Sequence, residues 1–339
     1  MKIIKHRKFF LTFSGILTLI SILLWIMWGL NLGIDFTGGS LMEIAYPKER
    51  PTVSQLNQEL ADLDLKGLKI QAAGDNGYTL RFQQTGEEIH QKIVEKLNSI
   101  TQKQPIDNAA DSNLKIETSN EINTNTAVEV SGVNVVSSNN DNQIIEKRFD
   151  SIGPSIGTEL KTKAFYAIIL VVIAIIIYIA IAFRTVSYPV SSWKYGVAAI
   201  IALVHDIFVT IGIFVILGKY FGFEVNTPFV AALLTILGYS VNDTIVVFDR
   251  VRENLHKYEG EFEEIVEKSI WETMARSVNT IVTVELALLA LLIFGGGVIN
   301  DFVLPLLIGI FFGAYSSIFI ASQVLVVWQK LDWAMKKSE

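Results

Sequence analysis

The chain has 339 residues, 51% hydrophobic and 18% charged, with a formal net charge of −6 and no cysteine. An acidic balance without a long basic run argues against a nucleic-acid partner, and the lack of cysteine excludes disulfides. The apolar residues are gathered in blocks rather than spread at amphipathic spacing, which is the distribution of a membrane protein.

A membrane-crossing helix needs about 20 apolar residues. Six stretches qualify, at 9–30, 164–183, 193–217, 227–248, 278–294 and 302–328. The last is long enough to tilt or overhang. Lys2, Lys5, Arg7 and Lys8 precede the first, as they would in a secretory signal peptide. Its length and the lack of a small-x-small cleavage site favour an uncleaved anchor. Basic residues recur around Arg184 and Lys194, from Arg250 to Arg276, and at Lys330, Lys336 and Lys337. These ends are expected to face the cytoplasm. Residues 1–30 then form a cytoplasmic N-terminus and helix one. Residues 164–339 carry helices two to six, a cytoplasmic loop at about 249–276 and a cytoplasmic C-terminus.

The opposite side receives residues 31–163, which read as one extracytoplasmic α+β domain and linker. The expected elements are an extended run at 40–47, a Thr52-capped helix over 52–65, strands at 67–73 and 78–84 around a turn at 74–77, a helix over 86–99 and a strand at 113–119. That βαββαβ order is the split βαβ, ferredoxin-like one. Residues 101–143 are rich in Asn, Ser and Asp, and are expected to be part linker and part sheet.

Glycines cluster where the chain leaves or re-enters the bilayer: Gly33, Gly38 and Gly39 in GIDFTGG, Gly153 and Gly157 around Pro154 in GPSIG, and Gly295 to Gly297. They read either as sharp turns or as hinges that absorb rotation of the external domain.

Inside the spans lie His205 and Asp206, Asn242 and Asp243, and Glu285. An ionised Asp near the bilayer centre costs roughly 2.5–3.5 kcal/mol, so Asp243 needs a bundle interior, a wet cavity or a partner charge. Arg276, at the cytoplasmic start of helix five, is long enough to reach the level of Asp243, and their pairing is expected. Such a pair works as a proton switch, because moving the guanidinium loads or unloads the carboxyl. The plainer reading is that Asp243 only glues helices. His205 and Asp206 point about 100° apart on a helix and are expected not to share a face. His, Asp and Glu are too scattered for a metal motif, and no catalytic constellation or phosphate-cradling loop occurs, so neither an enzyme site nor a cofactor is expected.

Together GIDFTGG, GPSIGTEL, ALVHD, GYSVNDTIVVFDRVREN and FGGGVINDFVLPLLIGIFFGAYSSIFIAS resemble the SecF family, from helix one to helix six. Residues 101–143 carry no matching motif. The resemblance implies the smaller partner of SecD, in a complex of the bacterial plasma (inner) membrane related to the resistance-nodulation-division transporters. There it would serve the SecYEG-type channel and the translocating preprotein. Ion flow, of protons or in some members sodium, would be coupled to late translocation and release. It places the ion-coupling acid of the Asn242-Asp243 pair on Asp243 and its partner on Arg276. Glu285 departs from the apolar residue usual there, and is either an addition to the relay or a packed, protonated acid. Six helices are half of the usual twelve, so a partner is expected. The competing readings are half of a small-molecule exporter and a non-transporting assembly subunit.

Overall fold

A computed structural model describes residues 3–47, 50–74, 76–83, 86–103, 143–182, 190–295 and 297–338. In chain order the elements are α1 (Arg7–Trp28), α2 (Ile34–Thr37), β1 (Gly39–Ala45), α3 (Val53–Leu60), β2 (Lys69–Ala73), β3 (Gly77–Phe82), α4 (Glu87–Lys103) and β4 (Ile145–Ile152). Then come α5 (Pro154–Ala182), α6 (Ser192–Phe221), α7 (Thr227–Lys257), α8 (Phe262–Phe294), α9 (Gly297–Ser316), a π-helical turn (Ser317–Ala321) and α10 (Ser322–Ser338). Two compact units result, one of Met1–Gly38 with Pro154–Glu339 and one of Gly39–Gly153. The second is narrower at both ends than the expected 31–163.

In the first unit six helical segments are long and apolar enough to cross a membrane: Ile4–Trp28, Pro154–Ala182, Trp193–Phe221, Thr227–Lys257, Phe262–Phe294 and Ile299–Leu331. Their outward faces carry exposed apolar side chains such as Phe9, Ile26, Phe165, Leu170, Leu286 and Phe311, which suits lipid as solvent. The expected loop at about 249–276 is corrected, since α7 runs to Lys257 and α8 starts at Phe262, leaving only 258–261 between them. Hydropathy marks where a helix leaves the apolar layer, not where it stops. Past that point Arg252 pairs with Asp249, and Arg250 and Lys257 with Glu253, at helical spacing that supports continuation.

The loop motifs of this unit tie helix ends together. Gly33 N–H donates to the Val225 carbonyl at 2.7 Å, and Val225 N–H to the Asn31 carbonyl at 2.8 Å. Asp35 Oδ2 accepts from Thr227 N–H at 2.7 Å, placing a carboxylate on the N-terminus of α7. Gly38 and Gly39 have φ of 71° and 130°, which only glycine adopts without strain. A Cβ on Gly157 would meet Gly38 N at 3.0 Å, so close backbone packing excludes a side chain there.

The second unit has a four-stranded sheet in the order β2-β3-β1-β4, every neighbouring pair antiparallel. Alternation puts Met42 and Ile44 of β1 and Tyr78, Leu80 and Phe82 of β3 into one core with Leu56 and Leu60 of α3 and Ile93 and Leu97 of α4. Thr52 caps α3 in a reciprocal capping box with Gln55. The strand beside β1 is Ile145–Ile152. The strand expected at 113–119 lies outside the described residues. His90 on α4 sits 3.1 Å from both Glu87 and Glu146 and stacks on Phe149 at 3.9 Å, fastening β4 to α4.

Between the long helices, glycine sets the approach. A Cβ on Gly309 of α9 would stand 2.2 Å from Ile236 Cδ1 of α7, and one on Gly313 2.9 Å from Ser240 Cβ, the small-xxx-small contact of membrane helices. On α6 a Cβ at Gly212 would stand 2.4 Å from Ser21 Cβ and 2.8 Å from Ser21 Cα of α1. Gly212→Val therefore lowers stability in detergent by about 1–3 kcal/mol through overpacking. Gly238→Ala, whose Cβ meets nothing within 4 Å, leaves it unchanged or slightly raised. Tryptophan-monitored thermal unfolding checks both, and equal melting of the two variants contradicts the packing account.

Candidate functional site

The interior of the helical unit contains a polar seam built from α6, α7, α8, α9 and the π turn. Asp206 on α6 is 1% exposed. Its Oδ2 accepts from Ser240 Oγ of α7 at 2.6 Å and Ser316 Oγ of α9 at 2.7 Å, and its Oδ1 lies 3.0 Å from His205 Nδ1. His205 and Asp206, expected on different faces of the helix, nonetheless meet through their side chains. Their Cα–Cβ directions diverge, but the side chains bend towards each other. Hydrogen bonds of this kind are what a buried carboxyl group requires.

The seam continues at the next level. Ser317 Oγ lies 2.8 Å from Thr244 Oγ1 and donates to the Gly313 carbonyl at 3.0 Å, while Thr244 Oγ1 donates to the Ser240 carbonyl at 3.2 Å. Ser317 opens the π turn, and such widened turns re-aim side chains inside a helix. All of these hydroxyls are buried.

Asp243 on α7 is half-buried. Its Oδ1 accepts from Ser277 Oγ of α8 at 2.6 Å, whereas its Oδ2 is buried without a hydrogen-bond partner among the described residues. The expected direct pair with Arg276 takes a different form. Ser277, the residue after Arg276, makes the contact, and the exposed Arg276 guanidinium and the Ser317 hydroxyl act on Asp243 at longer range. Asn242 is exposed. Glu285 on α8 is half-buried, with Oε1 buried and unpartnered among the described residues, and Tyr239 of α7 lies within electrostatic reach of both Glu285 and Asp243. The seam thus brings Asp206 and Asp243 into one hydroxyl-lined interior. Among the described residues no group of three or more His, Asp or Glu is placed to hold a metal ion.

Sequence reasoning found the acids and missed Ser240, Thr244, Ser277, Ser316 and Ser317. Isolated hydroxyls in apolar runs are common, since they can bond their own helix backbone. The one signal available was the run GAYSS following glycine at 309 and 313, where close helix approach brings hydroxyls within reach of a neighbour.

A six-span helical bundle with a buried acid seam, together with a separate small sheet unit, defines a multi-pass membrane protein. The family described as "Protein export membrane protein SecD/SecF, C-terminal" matches residues 132–331, and the "SecD/SecF GG Motif" matches 29–46, around Gly38 and Gly39. A protein translocase subunit SecF from Thermobaculum terrenum is 39% identical over 98% of this chain and 95% of its own length. One from Sebaldella termitidis is 36% identical over 100% and 95%. The chain belongs to the SecF family. The crystal structure of SecDF, a translocon-associated membrane protein from Thermus thermophilus, matches with a TM-score of 0.74 and 28% identity over 97% of this chain. This chain spans 39% of that longer one.

Ser240→Ala and Ser316→Ala each remove a donor from a buried carboxylate, and each lowers stability by about 1–3 kcal/mol. Because both serve Asp206 Oδ2, the double variant is non-additive. Thermal unfolding of the two singles and the double checks this, and additive losses would show that the hydroxyls do not share one acceptor.

Proposed function

We propose that this chain is a Sec-associated export subunit of a bacterial inner membrane that couples ion flow, of protons first, to late movement and release of preproteins. The observation that carries the reading is Asp243, with one carboxyl oxygen held by Ser277 and the other buried and unpartnered among the described residues. An orphaned buried oxygen is costly, and protonation or a bound ion relieves that cost. Asp243 is thus the group in the seam with most to gain from an arriving ion. Asp206, with partners on both oxygens, has least to gain and serves as the fixed anchor between α6, α7 and α9.

Arg276 is the counter-charge on α8. A shift of α8 that brings the guanidinium to Asp243 favours the ionised acid, and its withdrawal favours the protonated one. A unit charge crossing 100 mV gains about 2.3 kcal/mol, enough to bias a rearrangement balanced within a few kcal/mol. Asn242 and Glu285 flank this path, with Glu285 a packed, protonated acid. SecD supplies the facing half, and the SecYEG-type channel and its preprotein are the further partners. Both termini lie in the cytoplasm, and the Gly39–Gly153 unit is a ferredoxin-like domain outside. Gly33, Gly38, Gly39, Gly153, Pro154 and Gly157 form the segments about which it turns.

A second reading, a non-transporting assembly subunit, draws on the saturated bonding of Asp206. Preprotein release from vesicles holding the chain with SecD and the channel separates the two. Under ion coupling, Asp243→Asn leaves the complex assembled and abolishes the gradient-dependent part of release. Asparagine that supports full gradient-dependent release, or loss of assembly in this variant, sinks the coupling reading.

A further inference from the structure

Ahead of α1 a single 3₁₀ turn (Ile4–His6) is folded against the first turns of α8. Ile3 and Ile4 are each 3% exposed and share one apolar cluster with Phe262 and Val266 of α8 and Leu325 of α10. Glu267 of α8 accepts from Ile3 N–H at 2.8 Å with Oε1 and from Ile4 N–H at 2.7 Å with Oε2, and Trp271 Nε1, one turn on, donates to the same Oε1 at 3.0 Å. One turn earlier Glu263 pairs with Arg7 of α1 at 2.8 Å and with Lys330 of α10. The first N–H groups of a helix have no partner within it and form its positive end, so a carboxylate placed there acts as a cap. Here the cap is supplied by another helix, 264 residues beyond Ile3.

The grip continues along α8 as far as the Asp243 site. Asn254 Nδ2 of α7 donates to Ser269 Oγ at 2.9 Å and to Glu272 Oε2 at 2.8 Å, and Arg250 Nε donates to Glu272 Oε2 at 2.7 Å. Among the described residues every buried side chain of α8 except Leu288 lies between Phe262 and Ser277. Beyond Ser277 the helix packs Val284, Leu288 and Leu292 into a cluster with Val303 and Leu306 of α9, an apolar contact with no directional requirement. Val282 and Leu286 are exposed. α8 is therefore an arm held over its first half by α1, α7 and α10, with Ser277 at the edge of the held part and about 15 Å from Glu267 by helical rise.

We propose that Glu267 is a positioning residue for the Asp243 site: by capping the turn ahead of α1 it fixes α8 along and about its axis, and with it the reach of Ser277 Oγ to Asp243 Oδ1. Glu263 assists through Arg7 and Lys330, but long charged side chains can follow a moving carboxylate. Two backbone N–H groups in a buried turn cannot, so Glu267 is the rigid half of the clamp. Only the consequence for transport rests on the ion-coupling reading of Asp243.

The full chain is reconstituted with SecD in vesicles and treated with dicyclohexylcarbodiimide, which converts membrane-embedded carboxyl groups to N-acylureas. Mass spectrometry reads the adducts on Asp243 and Asp206 separately. Ser277→Ala opens Oδ1 to the reagent and is expected to speed labelling of Asp243 about five-fold, the ratio that corresponds to one net hydrogen bond. Glu267→Ala is expected to give the same increase, and Glu267→Gln, which keeps one acceptor oxygen, a smaller one. Glu264→Ala, which removes an exposed charge from the same stretch of α8, gives none. Because Glu267 acts through Ser277, the variant carrying both Glu267→Ala and Ser277→Ala labels no faster than Ser277→Ala alone. Asp206 keeps its wild-type rate throughout, and gradient-dependent preprotein release falls in Glu267→Ala. Unchanged labelling of Asp243 in Glu267→Ala, multiplied increases in the double variant, or an equal rise at Asp206 overturns the proposal. If Asp243→Asn retains gradient-dependent release, the ion-coupling reading fails, while the labelling rates still decide for or against the clamp.

Discussion

Hydrocarbon offers no hydrogen bonds, so every polar atom carried into the bilayer has to find its partner in protein or remain an energetic liability. The arrangement of the helical unit follows from how it meets this requirement. Asp206 draws one helix-borne hydroxyl from α7 and one from α9, and an imidazole from its own helix. Three elements are thereby fixed around one carboxylate. The glycines at 309 and 313 make that geometry available, since α9 must come close to α7 for Ser316 and Ser240 to converge on the same oxygen. Close packing and polar satisfaction are here one device.

Asp243 meets the same requirement only in part. The contrast between two aspartates in one seam is more informative than either alone. A saturated carboxylate resists change, because any movement of its donors exposes a buried charge. A half-saturated one is sensitive to whatever arrives at its free oxygen. Ser277 and Arg276 are neighbours on α8, so one displacement of that helix alters both a hydrogen bond and a nearby charge at Asp243. The acid therefore reports helix position through two effects of the same origin.

Much of this was legible in the sequence. A charge inside an apolar run stands out against its neighbours, which is why Asp206, Asp243 and Glu285 could be named in advance, and why six spans emerged at nearly their observed places. The helix, hairpin and helix of the Gly39–Gly153 unit were legible for a similar reason, since Thr52, the turn glycines and the alternation in β1 and β3 each state a local preference that the fold keeps. What sequence did not disclose depends on tertiary approach. Ser240, Ser316 and Ser317 acquire meaning only once α9 has packed on α7. The bend that joins His205 to Asp206 belongs to side-chain torsions, which helical-wheel geometry ignores. β4 hid because IEKRFDSI lacks a clean alternation, being largely exposed or half-buried along its length. The extensions of α7 and α8 past the apolar layer were hidden because charged residues that end a hydropathy peak are good helix formers.

His205 joins the two sides of the seam. One ring nitrogen is committed to Asp206 inside the bundle, and the other is buried with no hydrogen-bond partner among the described residues. An imidazole in that position cannot change its protonation at one nitrogen without changing what the other nitrogen offers. The anchor at Asp206 is thus coupled to the state of that ring, although the carboxyl group itself is 1% exposed. The anchoring of α6 to α7 and α9 accordingly depends in part on the state of a ring whose second nitrogen is still open.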